Sequence, residues 1–274
     1  MKTFMSLLAC FLVSVSLMAQ VSDTEKTALL ALYNATQGEQ WTHTWDVSTP
    51  VDQWYGVTVE NGTVVRLELS QNNLKGILPE SISGLQNLQV LNLGFNSLKG
   101  SLPTSIGNMK SLKQIELFMN RFSGSIPSEI GKLSQLETLS LYSNQLSGEL
   151  PKELYQLLSL KELHLNSNML TGSLSNKVGD MVNLSTLSLF DNQLSGYVPF
   201  ELGTLPQLKE LNVSYNKFTG TVTSNIAMLD AMHMMMISND GMATQLAIDD
   251  KPKTKIKAKT IEPVEAKKAM VSFD

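Results

Sequence analysis

Ser140, His164 and Ser188 stand at successive intervals of 24 residues, and Glu162 lies two residues before the histidine. Serine, imidazole and carboxylate are the parts of a nucleophilic hydrolytic site, in which the imidazole takes the hydroxyl proton and the carboxylate orients the imidazole. A second set keeps related spacing. The aromatic residues Phe95, Phe118, Tyr142, Phe190 and Tyr215 run through the same stretch, together with the acids Glu68, Glu116, Glu162, Asp191 and Glu210 and one base, Arg66. Rigid rings among acids suit recognition: they anchor a protein partner or stack on a sugar, and they favour a basic or polyhydroxyl ligand over a polyanion. Metal chemistry has little to build on. Beyond His164 there are only His43 and His233, and the single cysteine is Cys10, so no zinc cluster of histidine and cysteine is expected.

The elements that must position these groups follow from a strict period. Asn72, Asn96, Asn120, Asn144, Asn168, Asn192 and Asn216 are each 24 residues apart, and Gly76, Gly100, Gly124, Gly148, Gly172, Gly196 and Gly220 keep the same step. So do the pairs Leu67/Leu69, Leu91/Leu93, Ile115/Leu117, Leu139/Leu141, Leu163/Leu165, Leu187/Leu189 and Leu211/Val213. An L-x-L-x-x-N-x-L core at a fixed period predicts a solenoid of stacked coils. The paired apolar residues point inward from a short strand, and the residue between them and the two after them face the opposite side. Each asparagine amide, with donors and an acceptor, is expected to satisfy the turning backbone of its own and the next coil. The prolines Pro79, Pro103, Pro127, Pro151 and Pro199 fix φ on the return path. Ser175 and Thr223 replace them in two coils, where a less regular return is expected.

Stacking in register turns outward positions into columns about 4.8 Å apart. Phe95, Phe118, Tyr142, Phe190 and Tyr215 then form one aromatic track on an open concave face, with Glu116, Glu162 and His164 beside it. On such a sheet the serine and histidine ladder has no evident oxyanion donors, and Glu162 is about 6.5 Å along the strand from His164. Recognition rather than catalysis is therefore expected, with no cofactor and no metal.

The pattern L-x-x-L-x-x-L-x-L-x-x-N-x-L-x-G-x-I-P-x-x-I-G-x, over roughly residues 24 to 245, resembles the plant-type extracellular leucine-rich repeat. That repeat occurs in receptor-like kinase ectodomains, in polygalacturonase-inhibiting proteins and in secreted bacterial proteins. The resemblance implies an α/β-type solenoid: a right-handed superhelix with a parallel concave β-sheet and an N-terminal helical cap. Trp54, Tyr55, Gly56 and Val57 match the family's cap motif. The plant version has cysteines where this chain has Asp52 and Val59, so this cap must hold by packing Trp41 and Trp45, which points to the secreted bacterial branch.

Residues 1 to 19, with Lys2, an apolar run from Phe4 to Met18 and a small residue at Ala19, have the layout of a cleaved secretory signal. Residues 20 to 60 form the expected cap, with a helix from about Glu25 to Ala35 and a strand pair turned at Asn61 and Gly62. Residues 61 to 248 form the solenoid, seven regular coils and one degenerate closing coil rich in methionine; Met232, Met235, Ile237 and Met242 take leucine positions there. A soft-metal reading of the methionines around His233 competes with these core duties. Residues 249 to 274 form a lysine-rich tail with alternate lysines from Lys251 to Lys259, either a solvated linker or a basic-faced strand that tethers the protein to an anionic envelope. Asn34, Asn61, Asn183 and Asn212 lie in N-x-[ST] sequons. With 17% charged residues and a formal net charge of -4, the chain is a poor partner for nucleic acid. The sequence thus reads as an exported or cell-surface binding module for a protein, peptide or polysaccharide. The alternatives are a structural or adhesive spacer and, by resemblance to the plant inhibitors, an inhibitor of a secreted glycoside hydrolase.

Overall fold

The computed structural model describes residues 20 to 220 and the backbone of the strand Met234–Met236. The expected signal segment, the expected closing coil apart from that strand, Thr223 and the lysine-rich residues 249 to 274 lie outside the described residues. In each coil a three-residue strand carries the paired apolar residues inward; Leu67, Leu91, Ile115, Leu139, Leu187 and Leu211 are all buried. These strands stack in register, Leu91 beside Leu67 and Ile115, Leu163 beside Leu139 and Leu187. The described strands make a nine-stranded sheet, parallel throughout except for the first pair, and Met235 pairs with Leu211 at its far end. This sheet is the concave face.

Each strand stops because the next turn demands left-handed backbone. Gln71, Phe95, Met119, Ser143, Ser167, Asp191 and Tyr215 all have φ between 50° and 55°, a region that side chains with a Cβ enter only at a cost, of order 1 to 3 kcal/mol, unless surrounding bonds over-determine it. The following asparagine supplies those bonds. Asn144 Nδ2 donates to the carbonyls of Leu117, Leu141 and Tyr142 at 3.0, 3.0 and 3.3 Å, and its Oδ1 accepts from Phe122 N–H at 3.0 Å. Asn120, Asn168, Asn192 and Asn216 repeat the arrangement. The amide therefore ties its own coil to the preceding one, not to the next as the sequence suggested. The side chain leaves the strand end pointing back along the solenoid axis, where the preceding turn presents a carbonyl and an N–H.

Past the asparagine the chain forms a second, five-stranded parallel sheet among the described residues, built from Lys75–Ile77, Ser97–Gly100, Arg121–Gly124, Gln145–Glu149 and Met169–Thr171. Gly148, φ 80°, lies next to the end of its strand in a conformation natural only to glycine. A five-residue 3₁₀ helix then forms the convex side, entered through proline; Pro127 (φ -67°, ψ 139°) precedes Ser128–Lys132. The expected irregularity at Ser175 does not occur. Ser175 adopts φ -74° and ψ 146°, and its hydroxyl accepts from Lys177 N–H, so a side-chain cap replaces the fixed ring and Asn176–Asp180 has the same length as its neighbours.

The open end of the core is closed by the helix Asp23–Ala35. Ser22 and Glu25 form a reciprocal capping box, and the buried Glu25 also accepts from Val64 N–H at 3.0 Å, pinning the helix to the first solenoid strand. Val57–Glu60 and Thr63–Glu68 form the expected hairpin. Trp45 stacks on Trp54 at 4.7 Å and meets Trp41 edge-on at 4.9 Å. Each indole N–H finds a backbone carbonyl, at Thr36, Tyr55 and Thr49. The ring cluster thus supplies the packing expected to hold this cap.

Two stability predictions follow from these bonds. Asn144→Leu should cost about 1 to 3 kcal/mol, since three carbonyls and an N–H lose a partner in a part-buried turn. Asn144→Asp keeps the acceptor but sets a carboxylate against three carbonyl oxygens, which raises its folded-state pKa, so its deficit should shrink as pH falls. Urea unfolding at pH 4 and 7 measures both; parent-like midpoints for both variants would remove the ladder from the account. Trp45→Ala should cost about 3 to 5 kcal/mol in the same assay.

Candidate functional site

The concave sheet presents the residues singled out by spacing, but not as one track. Phe95 meets Phe118 edge-on at 5.2 Å, and Phe118 lies flat on Tyr142 at 4.8 Å with 5° between planes. Phe118 reaches back across Gly94, where a Cβ would lie 2.7 Å from the ring, so glycine at that position lets the ring lie down. Phe190 and Tyr215 form a separate pair at 5.1 Å. The coil between the two groups carries Asn166 and Ser167 instead of rings. The single aromatic track expected from sequence is thus two pads with a polar gap, a correction that residues 166 and 167 impose.

Ring contact also exists where spacing gave no hint. His43 and Tyr55 stack at 4.3 Å at the cap end of the sheet, with His43 N–H donating to Asn72 Oδ1 at 2.6 Å, the place that an earlier coil would fill. Tyr55 is 47% exposed. Its position one residue after Trp54 in the cap motif was the only available signal.

The charged groups are arranged by their neighbours. Arg66 and Glu68 pair at 2.9 Å; the bond from Arg66 holds the Glu68 carboxyl below its ordinary range, and Glu68 in turn raises the Arg66 guanidinium. That pair occupies Arg66, the arginine near these acids. Glu116 has no such partner: burial first, then the charges of Glu68 and Glu162, push its carboxyl up, against a hydrogen bond from Asn92. Burial and the nearby Glu116 likewise raise the Tyr142 hydroxyl. The face therefore carries acids poorly compensated by its own bases.

The hydrolytic constellation assembles only in part. Ser140, His164 and Ser188 are neighbours in register. Glu162 Oε2 leans to 3.8 Å from His164 Nε2, much nearer than the distance along the strand implied, because both side chains rise from the same face and bend together. Ser140 is only 5% exposed, and among the described residues His164 has no hydrogen bond to either serine. No group of three or more histidine, cysteine or acidic side chains among the described residues is placed to hold a metal ion. Two shallow clefts lie away from the rings: one of about 330 Å³ by Asn61, Gln89 and Lys113, and one of about 540 Å³ by Leu174, Tyr197 and Phe200. The aromatic face itself is open, as suits an extended ligand more than an enclosed small molecule.

A stacked-coil solenoid with an open, ring-bearing concave sheet defines a class, the repeat proteins whose scaffold and contact residues occupy separate positions. Within it, the description "Leucine-rich repeat region" matches residues 117–255 and "Leucine rich repeat" matches residues 63–122, so the chain belongs to the leucine-rich repeat family. A probable leucine-rich repeat receptor-like protein kinase of Arabidopsis thaliana is 37% identical over 92 residues, 33% of this chain and 10% of that protein. The crystal structure of PEPR1-AtPEP1 superposes with a TM-score of 0.74 at 31% identity, over 80% of this chain and 32% of that one. The plant peptide hormone receptor RGFR1 in complex with RGF2 gives 0.63 at 35% identity, over 64% of this chain and 28% of that one. This chain therefore spans about a tenth of the curated relative and a third or less of these two solved chains.

The raised Glu116 carboxyl carries a sign. A folded-state pKa above that of the unfolded chain means that stability is fully present at low pH and is lost as pH rises through the folded value. Glu116→Gln should therefore have a higher urea midpoint than the parent at pH 7, and the advantage should close near pH 4. An advantage equal at both pH values would mean that Glu116 is not repelled by its neighbours.

Proposed function

We propose that this protein is a non-enzymatic, exported recognition module whose concave sheet takes up a segment of an extracellular protein or peptide. The observation that carries the reading is the pair of aromatic pads set among uncompensated acids on an otherwise open face. Rings supply contact area at low entropic cost, and the acids select a basic or neutral ligand. Further support comes from RGFR1, a similar solenoid described as a peptide hormone receptor. The hydrolytic alternative is disfavoured by the open sheet and by Ser140, which is buried and not bonded to His164. Export rests on the segment ending near Ala19, and assignment to the secreted bacterial branch rests on a cap held by tryptophans rather than a disulfide. A polysaccharide is the second reading, favoured by the exposure of Phe95 at 41% and of Tyr55, whose ring faces suit sugar stacking.

The test is capture. Protein spanning residues 20 to 274 and a Phe118→Ala, Tyr142→Ala, Phe190→Ala triple variant, matched by circular dichroism, are incubated with extracellular proteins, peptides and polysaccharides, and the retained species are identified by mass spectrometry and glycan array. A protein or peptide held by the parent at least tenfold more strongly than by the variant is the expected outcome. Equal retention would move function off the concave sheet and favour a spacer, while retention of glycans alone would favour the second reading.

A further inference from the structure

The polar gap between the two pads sets a length, and the length selects a ligand conformation. Tyr142 and Phe190 stand two coils apart. The step from Phe118 to Tyr142 is 4.8 Å, the ordinary spacing of neighbouring strands, so the two pads begin about 9.6 Å apart along the solenoid axis. A ligand lying along that axis must place one apolar side chain on each pad and keep both on the same side of its backbone. In an extended strand, residues on one side recur every ~6.7 Å or ~13.4 Å, and neither matches the ~9.6 Å between Tyr142 and Phe190, the two rings that border the gap. In a polyproline II helix the repeat is three residues at ~3.1 Å each, so residues i and i+3 share a side ~9.3 Å apart.

The gap has the chemistry that such a backbone needs. A polyproline II segment has no internal hydrogen bonds, so its carbonyls and any N–H groups must find partners elsewhere. Asn166 lies in the gap with its backbone carbonyl engaged by Ser143 N–H and Asn168 Nδ2 at 2.9 and 3.3 Å. Its side-chain amide has no hydrogen bond among the described residues, and an amide can give and accept one bond each to a passing peptide unit. Asp191 stands on the next coil, its carbonyl accepting from Asn168 N–H, and Glu162 lies farther along the gap's own strand beside His164; both add negative charge to this part of the face.

We infer that the concave face binds a polyproline II peptide with apolar side chains at i and i+3, one on the Phe95–Phe118–Tyr142 pad and one on the Phe190–Tyr215 pad. The peptide backbone bonds to Asn166, and a lysine or arginine of the ligand faces Glu162 or Asp191. The inference rests on the peptide reading of the concave face and adds the ligand's conformation, spacing and charge.

Fluorescence anisotropy with labelled synthetic peptides separates the two claims. The peptides share a proline- and lysine-rich background and carry two leucines at i,i+2, at i,i+3 or at i,i+4. The expected result is at least tenfold tighter binding of the i,i+3 peptide. The preference should disappear in Asn166→Phe, which fills the gap with a ring type already carried at Phe118 and Phe190 in the same column. Binding of all three peptides within a factor of two would overturn the spacing inference and leave peptide recognition standing. Retention of the i,i+3 preference in Asn166→Phe would overturn the role of the gap. Binding of none would overturn the inference and count against the peptide reading itself.

Discussion

Seven non-glycine residues held in left-handed backbone at the same place in successive coils would be a heavy burden on a chain of this size were it not for the amide that follows each of them. From Asn96 to Asn216 the asparagine bonds both to the carbonyls of its own turn and to the preceding turn, so the left-handed turns from Phe95 to Asp191 are each fixed by bonds from two coils at once. Everything that faces the ligand side depends on this. The strand is three residues long because the turn must begin there, and the rings of Phe95 and Tyr215 project where they do because their own backbone is left-handed. Position along the axis comes from the ladder, and identity at each rung is left to function.

The apolar core and the amide ladder divide the labour. Burial of the leucine rows supplies the bulk of the favourable free energy but has no direction. The amides, the proline-led 3₁₀ turns and the short second sheet decide which of many compact stackings is adopted. Ser175 illustrates the tolerance of that system: a serine hydroxyl capping a turn does the work of a pyrrolidine ring by other means. The cap rests on packing too, with three tryptophans in contact and their N–H groups satisfied by backbone carbonyls.

Much of this was readable in the sequence because a strict period reports register directly. Once Asn72 to Asn216 keep step, the neighbours of every outward side chain follow. The left-handed turn was not readable, since Gln71, Phe95, Met119, Ser143, Ser167, Asp191 and Tyr215 share no chemistry; their conformation is imposed from the next position. The second sheet was hidden for a similar reason: segments such as Ser97–Gly100 are too short to show alternation and form only through stacking. Other misses were avoidable. Ser22 and Glu25 spell a capping box, and the gap at Asn166 and Ser167 stood in the columns, though a count of five aromatics concealed it. The 3.8 Å approach of Glu162 to His164 needed side-chain directions that spacing does not carry.

The reach of each asparagine toward the preceding coil makes the solenoid a polar stack, held together like overlapping roof tiles laid in one sense. A coil's turn is locked by its successor, so loss of a terminal coil has different consequences at the two ends. Removal from the C-terminal side strips the lock from the turn left behind, and unravelling can advance rung by rung. At the N-terminal side Asn72 closes on His43 of the cap, with its own bonds to the His43 backbone, so fraying there must first dislodge the tryptophan cluster. Among the described coils the ladder therefore locks each turn from one side only.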